Sequence, residues 1–211
     1  MKHCLIISGG AFSVPEESAV KNADCIIACD KGFDYAKKMG IMPDLIMGDF
    51  DSTSEEPPQG ARTIRFKKEK DDTDTMCAVK YALEQGFSTI VIACAFGGRF
   101  DHTFANIQTA AYAAENGART VLLGDGEKAF VFRNSSITVE QKAGFSLSVF
   151  SLTEHSSGVY ENGTKYTLDD AHMHCTYPLG VSNEWIENKA EIGVKNGILL
   201  VIESKLDAAL T

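Results

Sequence analysis

Through its first half the chain alternates short apolar runs with stretches patterned for helices. The runs are Cys4–Ile7, Cys25–Ala28, Leu45–Met47, Thr63–Phe66, Thr89–Ala93 and Thr120–Leu123. Most are continuous and β-branched rather than alternating, as in strands buried on both faces. Between them the spacing predicts helices over Phe33–Met39, Thr75–Gln85 and His102–Asn116, stopped by Gly40, Gly86 and Gly117. In the second helix Met76, Val79 and Leu83 share a face. This alternation predicts an α/β layer built on a mainly parallel sheet.

After Asp125-Gly126 the pattern changes, which predicts a domain boundary between 1–126 and 127–211. Nothing from Lys128 onward reads as a helix. Short runs follow instead: Ala129–Phe132, Ser136–Val139, Phe145–Phe150, Lys165–Leu168, Glu191–Val194 and Ile198–Glu203, punctuated by Gly144, Gly158, Gly163 and Gly180. Asn196-Gly197, between the last two runs, predicts a hairpin with a type I′ turn. The second part is therefore expected to be a small antiparallel sandwich or barrel. At about 85 residues it would be marginal alone, and is expected to lean on the first domain or on another subunit.

Composition narrows the function classes. Twenty basic against 29 acidic residues leave a net charge of −9, which argues against nucleic acid as a partner. The N-terminal apolar run is broken at Gly9-Gly10, and no stretch approaches the ~20 apolar residues of a membrane span. Six cysteines are present and none forms a C-x-x-C pair. Cys4, Cys25, Cys29 and Cys94 sit inside apolar runs, where a thiol packs as a small hydrophobe. Reduced thiols and a cytoplasmic location are expected.

In an open parallel sheet, ligands bind beyond the carboxyl ends of the strands. Each predicted strand from the second to the sixth ends there in a loop bearing aspartate. These are Cys29-Asp30-Lys31-Gly32, Gly48-Asp49-Phe50-Asp51-Ser52, Lys67–Asp74, Gly97-Gly98-Arg99-Phe100-Asp101-His102 and Gly124-Asp125-Gly126. Singly they have plain explanations. Asp74 and Asp101 suit helix caps, Asp49 and Asp51 suit turns, and Asp71-Asp72 beside lysines suits a solvated charge run. Five on one edge are harder to explain so. Asp49 and Asp51 are two apart, so an extended backbone points both carboxylates one way. Such crowding is costly without a cation, and hard oxygen ligands suit magnesium. Arg99 and lysines 67, 68 and 70 suit phosphates, and Gly97-Gly98 lets backbone N–H groups approach an anion. No Walker A sequence is present, which excludes an ordinary P-loop kinase. His172-x-His174 lies on one strand face with no third ligand in view, and His155 reads as loop.

Taken together these segments resemble the thiamine pyrophosphokinase family. Pro43–Ser52 is similar to its P-D-x-x-x-G-D-F-D-S segment, Lys70–Asp74 to K-D-x-T-D, and Gly97–His102 with Asn106 to G-G-R-x-D-H-x-x-x-N. Asp30-Lys31-Gly32 is similar to D-G-G or D-x-G, with the lysine a tolerable departure. Gly163–Leu168 and Gly180–Glu184 resemble G-x-K-[YW]-x-L and G-x-S-N-E. The matches keep the family's order from about residue 5 to residue 203.

The resemblance implies a Rossmann-like α/β domain holding ATP and Mg2+, a C-terminal β-sandwich for thiamine and dimerisation, and a homodimer. Thiamine would lie between one subunit's α/β domain and the other's sandwich. It implies catalytic roles for Asp49, Asp51, Asp71, Asp74, Asp101 and Arg99, with Asp49, Asp51, Asp71 and Asp74 at the metal. ATP would meet Asp30, Lys70, Thr73, Gly97, Gly98, Arg99, His102, Asn106 and Asp125. Thiamine would meet Ser182, Asn183, Tyr166 and Trp185. For Trp185, a stacking role competes with an ordinary interface or surface position. The implied reaction is attack of the thiamine hydroxyl on the β-phosphorus of ATP, with AMP leaving. Asp71 or Asp101 is a candidate for accepting the hydroxyl proton, if a base is needed at all. A diphosphokinase for another alcohol such as a pterin, a metal-dependent phosphohydrolase and a non-catalytic nucleotide sensor remain as alternatives.

Overall fold

The computed structural model describes residues 2–50, 53–54, 57–67, 69 and 71–206. The chain divides into two compact units, Met1–Asp125 and Gly126–Thr211. The first contains β1 (His3–Ile7), α1 (Glu17–Lys21), β2 (Cys25–Cys29), α2 (Lys31–Met39), β3 (Leu45–Gly48), β4 (Thr63–Arg65), α3 (Asp74–Glu84), β5 (Thr89–Ala93), α4 (Phe100–Glu115) and β6 (Arg119–Leu123). Its strands are all parallel, in the order β4-β3-β2-β1-β5-β6. Continuous apolar strands fill the centre of the sheet, and Leu5, Ile6, Ile7, Ile27, Ile90 and Ile92 have no solvent exposure. Leu5, Ile7, Ala28 and Ile46 pack with Phe33 and Ala36 of α2 in one core cluster. The apolar runs thus became the expected strands. Helix α1 escaped prediction because five residues are too few to show a period.

Strand order decides where a ligand can enter. From the central β1 the chain builds outward through β2, β3 and β4, then returns to the other side of β1 for β5 and β6. Connections leaving neighbours β1 and β5 therefore diverge, opening a crevice at their carboxyl ends.

The second unit contains β7 (Glu127–Arg133), β8 (Ser136–Glu140), β9 (Phe145–Ser151), β10 (His155–Asn162), β11 (Leu168–His174), β12 (Gly180–Asn183), β13 (Lys189–Gly193) and β14 (Ile198–Lys205). Two antiparallel groups form, β7-β14-β9-β12 and β8-β13-β10-β11. Phe132, Leu147, Val149 and Val201 from the first share one core with Val139, Val159, Met173 and Ile192 from the second, which makes the unit a sandwich.

Four expectations fail here. Asn196-Gly197 is not a hairpin: β13 and β14 lie in different sheets, and the dipeptide carries the chain across. Gly197 N–H donates to Asn134 Oδ1 at 2.9 Å and Asn196 bridges to Ser157, so tertiary partners outweigh the local turn preference. His155 opens a strand instead of lying in a loop, directly opposite His174. Gly158 looked like punctuation, yet sits inside β10 at a register shift with φ 66°, the usual place for glycine in a bulge. The Lys165–Leu168 run forms a strand only from Leu168.

Candidate active site

The crevice predicted by the strand order holds a cavity of about 210 Å³. Ser8, Gly9 and Gly10 line it from the end of β1, Cys29, Asp30 and Lys31 from β2, Thr73, Asp74 and Thr75 from the start of α3, and His102, Ala105 and Asn106 from α4. The β1 exit continues along the exit of β5, with Ser8 N–H donating to Ala93 O at 2.9 Å and Gly10 N–H to Cys94 O at 3.0 Å. Ser8 and Thr75 hydroxyls meet at 2.9 Å, tying β1 to α3. Thr73 caps α3, its Oγ1 accepting from Met76 N–H at 3.1 Å. Asp74 is therefore not the cap but the first helical residue, placed where the helix dipole favours an anion. Ser8, Gly9 and Gly10 had no predicted role. The only signal was a Gly-Gly pair straight after the first strand.

Asp30 is the most perturbed acid in this cavity. Burial pushes its carboxyl up to about 6, the charge of Asp74 adds to this, the Phe50 N–H pulls the other way, and Asp74 as hydrogen-bond partner and Asp49 push further. Asp30 Oδ1 accepts from Phe50 N–H at 3.1 Å, so the end of β2 holds the loop after β3. Backbone strain gathers at the same edge. Asp30, Phe50 and Cys94 all have positive φ (45°, 65° and 54°), and they follow β2, β3 and β5. Non-glycine residues hold such angles only where surroundings over-determine them, and functional sites are where they collect.

The structure thus brings together Asp30, Thr73, Asp74, His102 and Asn106, with Asp49 close enough to act on Asp30. Asn106 is buried and donates Nδ2–H to Ala95 O at 2.8 Å, which makes it a strut between α4 and the β5 exit. Asp71, Gly97, Gly98 and Asp125 are exposed and do not line the cavity. Arg99 and Asp101 are exposed and paired with each other, with Arg99 Nε–H donating at 3.1 Å, so Asp101 is not a helix cap either. Asp51 and Lys70 lie outside the described residues. Among the described residues no three His, Cys, Asp or Glu side chains stand close enough to hold a metal ion, so Asp49, Asp71 and Asp74 are not gathered into one ligand shell.

In the sandwich, Ser182 is exposed with φ 58°, and its N–H donates to Ser148 Oγ at 3.0 Å. The resemblance places Asn183 against thiamine, but its amide is not open. It is 3% exposed, its Oδ1 accepts from Tyr166 N–H and Glu184 N–H at 3.0 Å each, and its Nδ2 donates to Glu161 Oε1 and Tyr166 O at 2.8 Å each. All four of its hydrogen-bonding positions are taken. Trp185 also differs from expectation. It is 8% exposed, belongs to the sandwich core and donates Nε1–H to Val139 O at 3.3 Å, so its ring is not at the surface. Tyr166 is 65% exposed and lines a second cavity with Glu161 and Asn183.

Comparison with known proteins accounts for both units. Residues 17–122 match the family described as thiamin pyrophosphokinase, catalytic domain, and residues 134–199 match thiamin pyrophosphokinase, vitamin B1 binding domain. The thiamine pyrophosphokinase of Bacillus subtilis is 29% identical over 214 residues, covering 97% of this chain and 99% of that protein. Its crystal structure superposes with a TM-score of 0.84 at 27% identity, over 97% of this chain and 99% of that one. A thiamin pyrophosphokinase family protein from Enterococcus faecalis gives 0.80 at 27% identity, over 98% and 100%. With two domain matches in sequence order, nearly end-to-end similarity and a cavity at the switch point of the sheet, the chain belongs to the thiamin pyrophosphokinase family.

Proposed function

We propose that this protein transfers the diphosphate group of ATP to the hydroxyl of thiamine, giving thiamine diphosphate and AMP. The observation that carries this reading is the paired match of catalytic and vitamin-binding domains along one chain. The first unit's cavity offers what a polyphosphate needs. The N-terminus of α3 borders it, and Gly9 and Gly10 bring bare backbone to its wall. Lys31 adds a cation at the same wall. Arg99, held in a fork by Asp101, is proposed to meet the phosphates. Transfer of this kind needs mainly positioning and charge neutralisation.

The acids fit magnesium. After burial, the charges of Asp74 and Asp49 push the Asp30 carboxyl up, and a hard divalent cation beside them would offset that negative charge. Asp49, Asp71 and Asp74 form no ligand shell by themselves, and together with Asp51 they are proposed to close around the ion only when it arrives with the phosphates. When bound, magnesium would offset the charge of the phosphates. Asp71 or Asp101 is the proposed acceptor of the thiamine hydroxyl proton, and solvent is the alternative acceptor.

We further propose a homodimer and a cytoplasmic location. None of the six cysteines is in a disulfide, as suits a reducing compartment. No helix among the described residues is long and apolar enough to cross a membrane. The decisive experiment incubates the protein with ATP and magnesium, with and without thiamine, and identifies the nucleotide released. AMP formed only with thiamine is the expected result. AMP without thiamine would mean a hydrolase, and ADP would mean an ordinary kinase.

A further inference from the structure

The sandwich contains a carboxylate that its own packing does not require. Glu161 lies two residues after Val159 on β10, so the pleat turns both side chains to the same face, and Val159 there is core. Glu161 is only 1% exposed. Burial pushes its carboxyl above the ordinary range, and hydrogen bonds from Asn183 and Thr164 pull only partly back. Among the described residues its hydrogen bonds include no cationic partner. Apolar side chains are the usual occupants of such a position, and a buried acid there costs stability.

What Glu161 faces suggests why it is there. It forms one wall of a cavity of about 240 Å³ inside the segment matched to the vitamin B1 binding domain. Leu168, Leu179 and Val181 supply apolar walls, and the exposed ring of Tyr166 stands beside them. Asn183 also lines the cavity, but its amide is spent on Glu161, Tyr166 and Glu184. Glu161 is the one carboxylic acid among the described lining residues. A flat heteroaromatic ring carrying an amino group fits such a space: apolar faces against leucine and valine, N–H groups toward the carboxylate. A cationic second ring would gain from the same negative charge and from a tyrosine face.

We propose that Glu161 determines the alcohol substrate, its buried carboxylate accepting the exocyclic amino group of the aminopyrimidine ring of thiamine. This rests on the thiamine reading above. Asn183 is then a positioning residue, which fixes Glu161 and the Tyr166 backbone in one arrangement.

The test uses two substrates, thiamine and oxythiamine, which carries an oxygen in place of that amino group. A carboxylate set against a carbonyl oxygen is two acceptors facing each other, so the wild-type protein is expected to prefer thiamine by at least about 100-fold in kcat/KM. Glu161→Gln keeps an acceptor oxygen for Asn183 Nδ2 but loses the charge and gains a donor. It is expected to lower kcat/KM for thiamine about 10- to 100-fold, mainly through KM, and to narrow the preference at least about 10-fold. KM for ATP should stay unchanged. Equal losses for both substrates would show a merely structural role and overturn the proposal. So would a wild-type protein that does not discriminate, which needs no variant to fold. If the wild type makes no thiamine diphosphate at all, the functional reading fails. Calorimetric titration of the same two proteins with thiamine and oxythiamine then decides the Glu161 proposal separately, by the same ratio.

Discussion

At the residue scale, the site is defined by acids held close together. Asp30 has a folded value near 6 against an ordinary 3.8, so the folded protein keeps its proton where the unfolded chain loses it. Its stabilising contribution is complete below the ordinary value and is lost as pH rises through the folded one. Asp30→Asn, measured by urea unfolding in metal-free buffer, should therefore be more stable than wild type near neutral pH, and the gap should close below about pH 4. A gap that is constant across this range would mean that ionisation of Asp30 is not what costs stability. Asp74 gives a separate prediction. Since Thr73 is the cap, Asp74→Asn removes charge without removing a cap, and kcat should fall by about 100-fold or more with the fold intact. Near-normal turnover would reduce Asp74 to a favourable helix-dipole residue. Asp30, Thr73 and Asp74 were legible in the sequence because acids beside predicted strand ends mark that edge. Glu161 was not, because nothing local distinguishes a buried glutamate from a surface one. Asn183 was found, but its amide partners lie 17 and 22 residues away, so its saturation could not be read.

At the scale of elements, the join between β1 and α2 carries the site. A Cβ on Gly32 would come within 2.0 Å of Ile7 O, so the first turn of α2 rests directly on the end of β1. This contact sets where Asp30 and Lys31 stand. Gly32→Ala should cost about 1–3 kcal/mol in chemical denaturation, and the surviving folded protein should bind ATP more weakly, because α2 must lift away. A variant as stable as wild type would show that the helix has room to move. Gly32 is thus the residue of Asp30-Lys31-Gly32 whose lack of a side chain packing demands, while the position of Lys31 tolerates one. Parallel strands were readable because burial on both faces leaves long apolar runs. The sandwich was less so. β10 carries Ser156, Ser157 and Glu161 among its residues, and Gly158 bulges inside it, so it broke the periodicity that marks a strand. The Asn196-Gly197 hairpin failed for a related reason: turn chemistry is local, while the choice of sheet for β14 is made by distant partners.

At the scale of the molecule, assembly can be measured directly. A homodimer should sediment at about twice the chain mass of 22.9 kDa at assay concentrations. A fully active species at the single-chain mass would remove that proposal. The order of strands also bears on how the chain is made. All six strands of the parallel sheet have been synthesised once Leu123 is made, and of its neighbouring pairs β1 and β5 are the pair far apart in sequence. The sandwich differs, because β14 lies between β7 and β9, pairing with both along its length. Until Ile198–Lys205 arrives, β7 and β9 have no strand to join them, and the shared core lacks Leu199 and Val201. A nascent chain should therefore pass through a stage with one finished half and one open, sticky half, the kind of species that chaperones hold. Arrested chains ending before Ile198 should show a protease-resistant N-terminal half and a digestible remainder. Resistance of both halves at that length would mean that the sandwich can close without the strand at its centre.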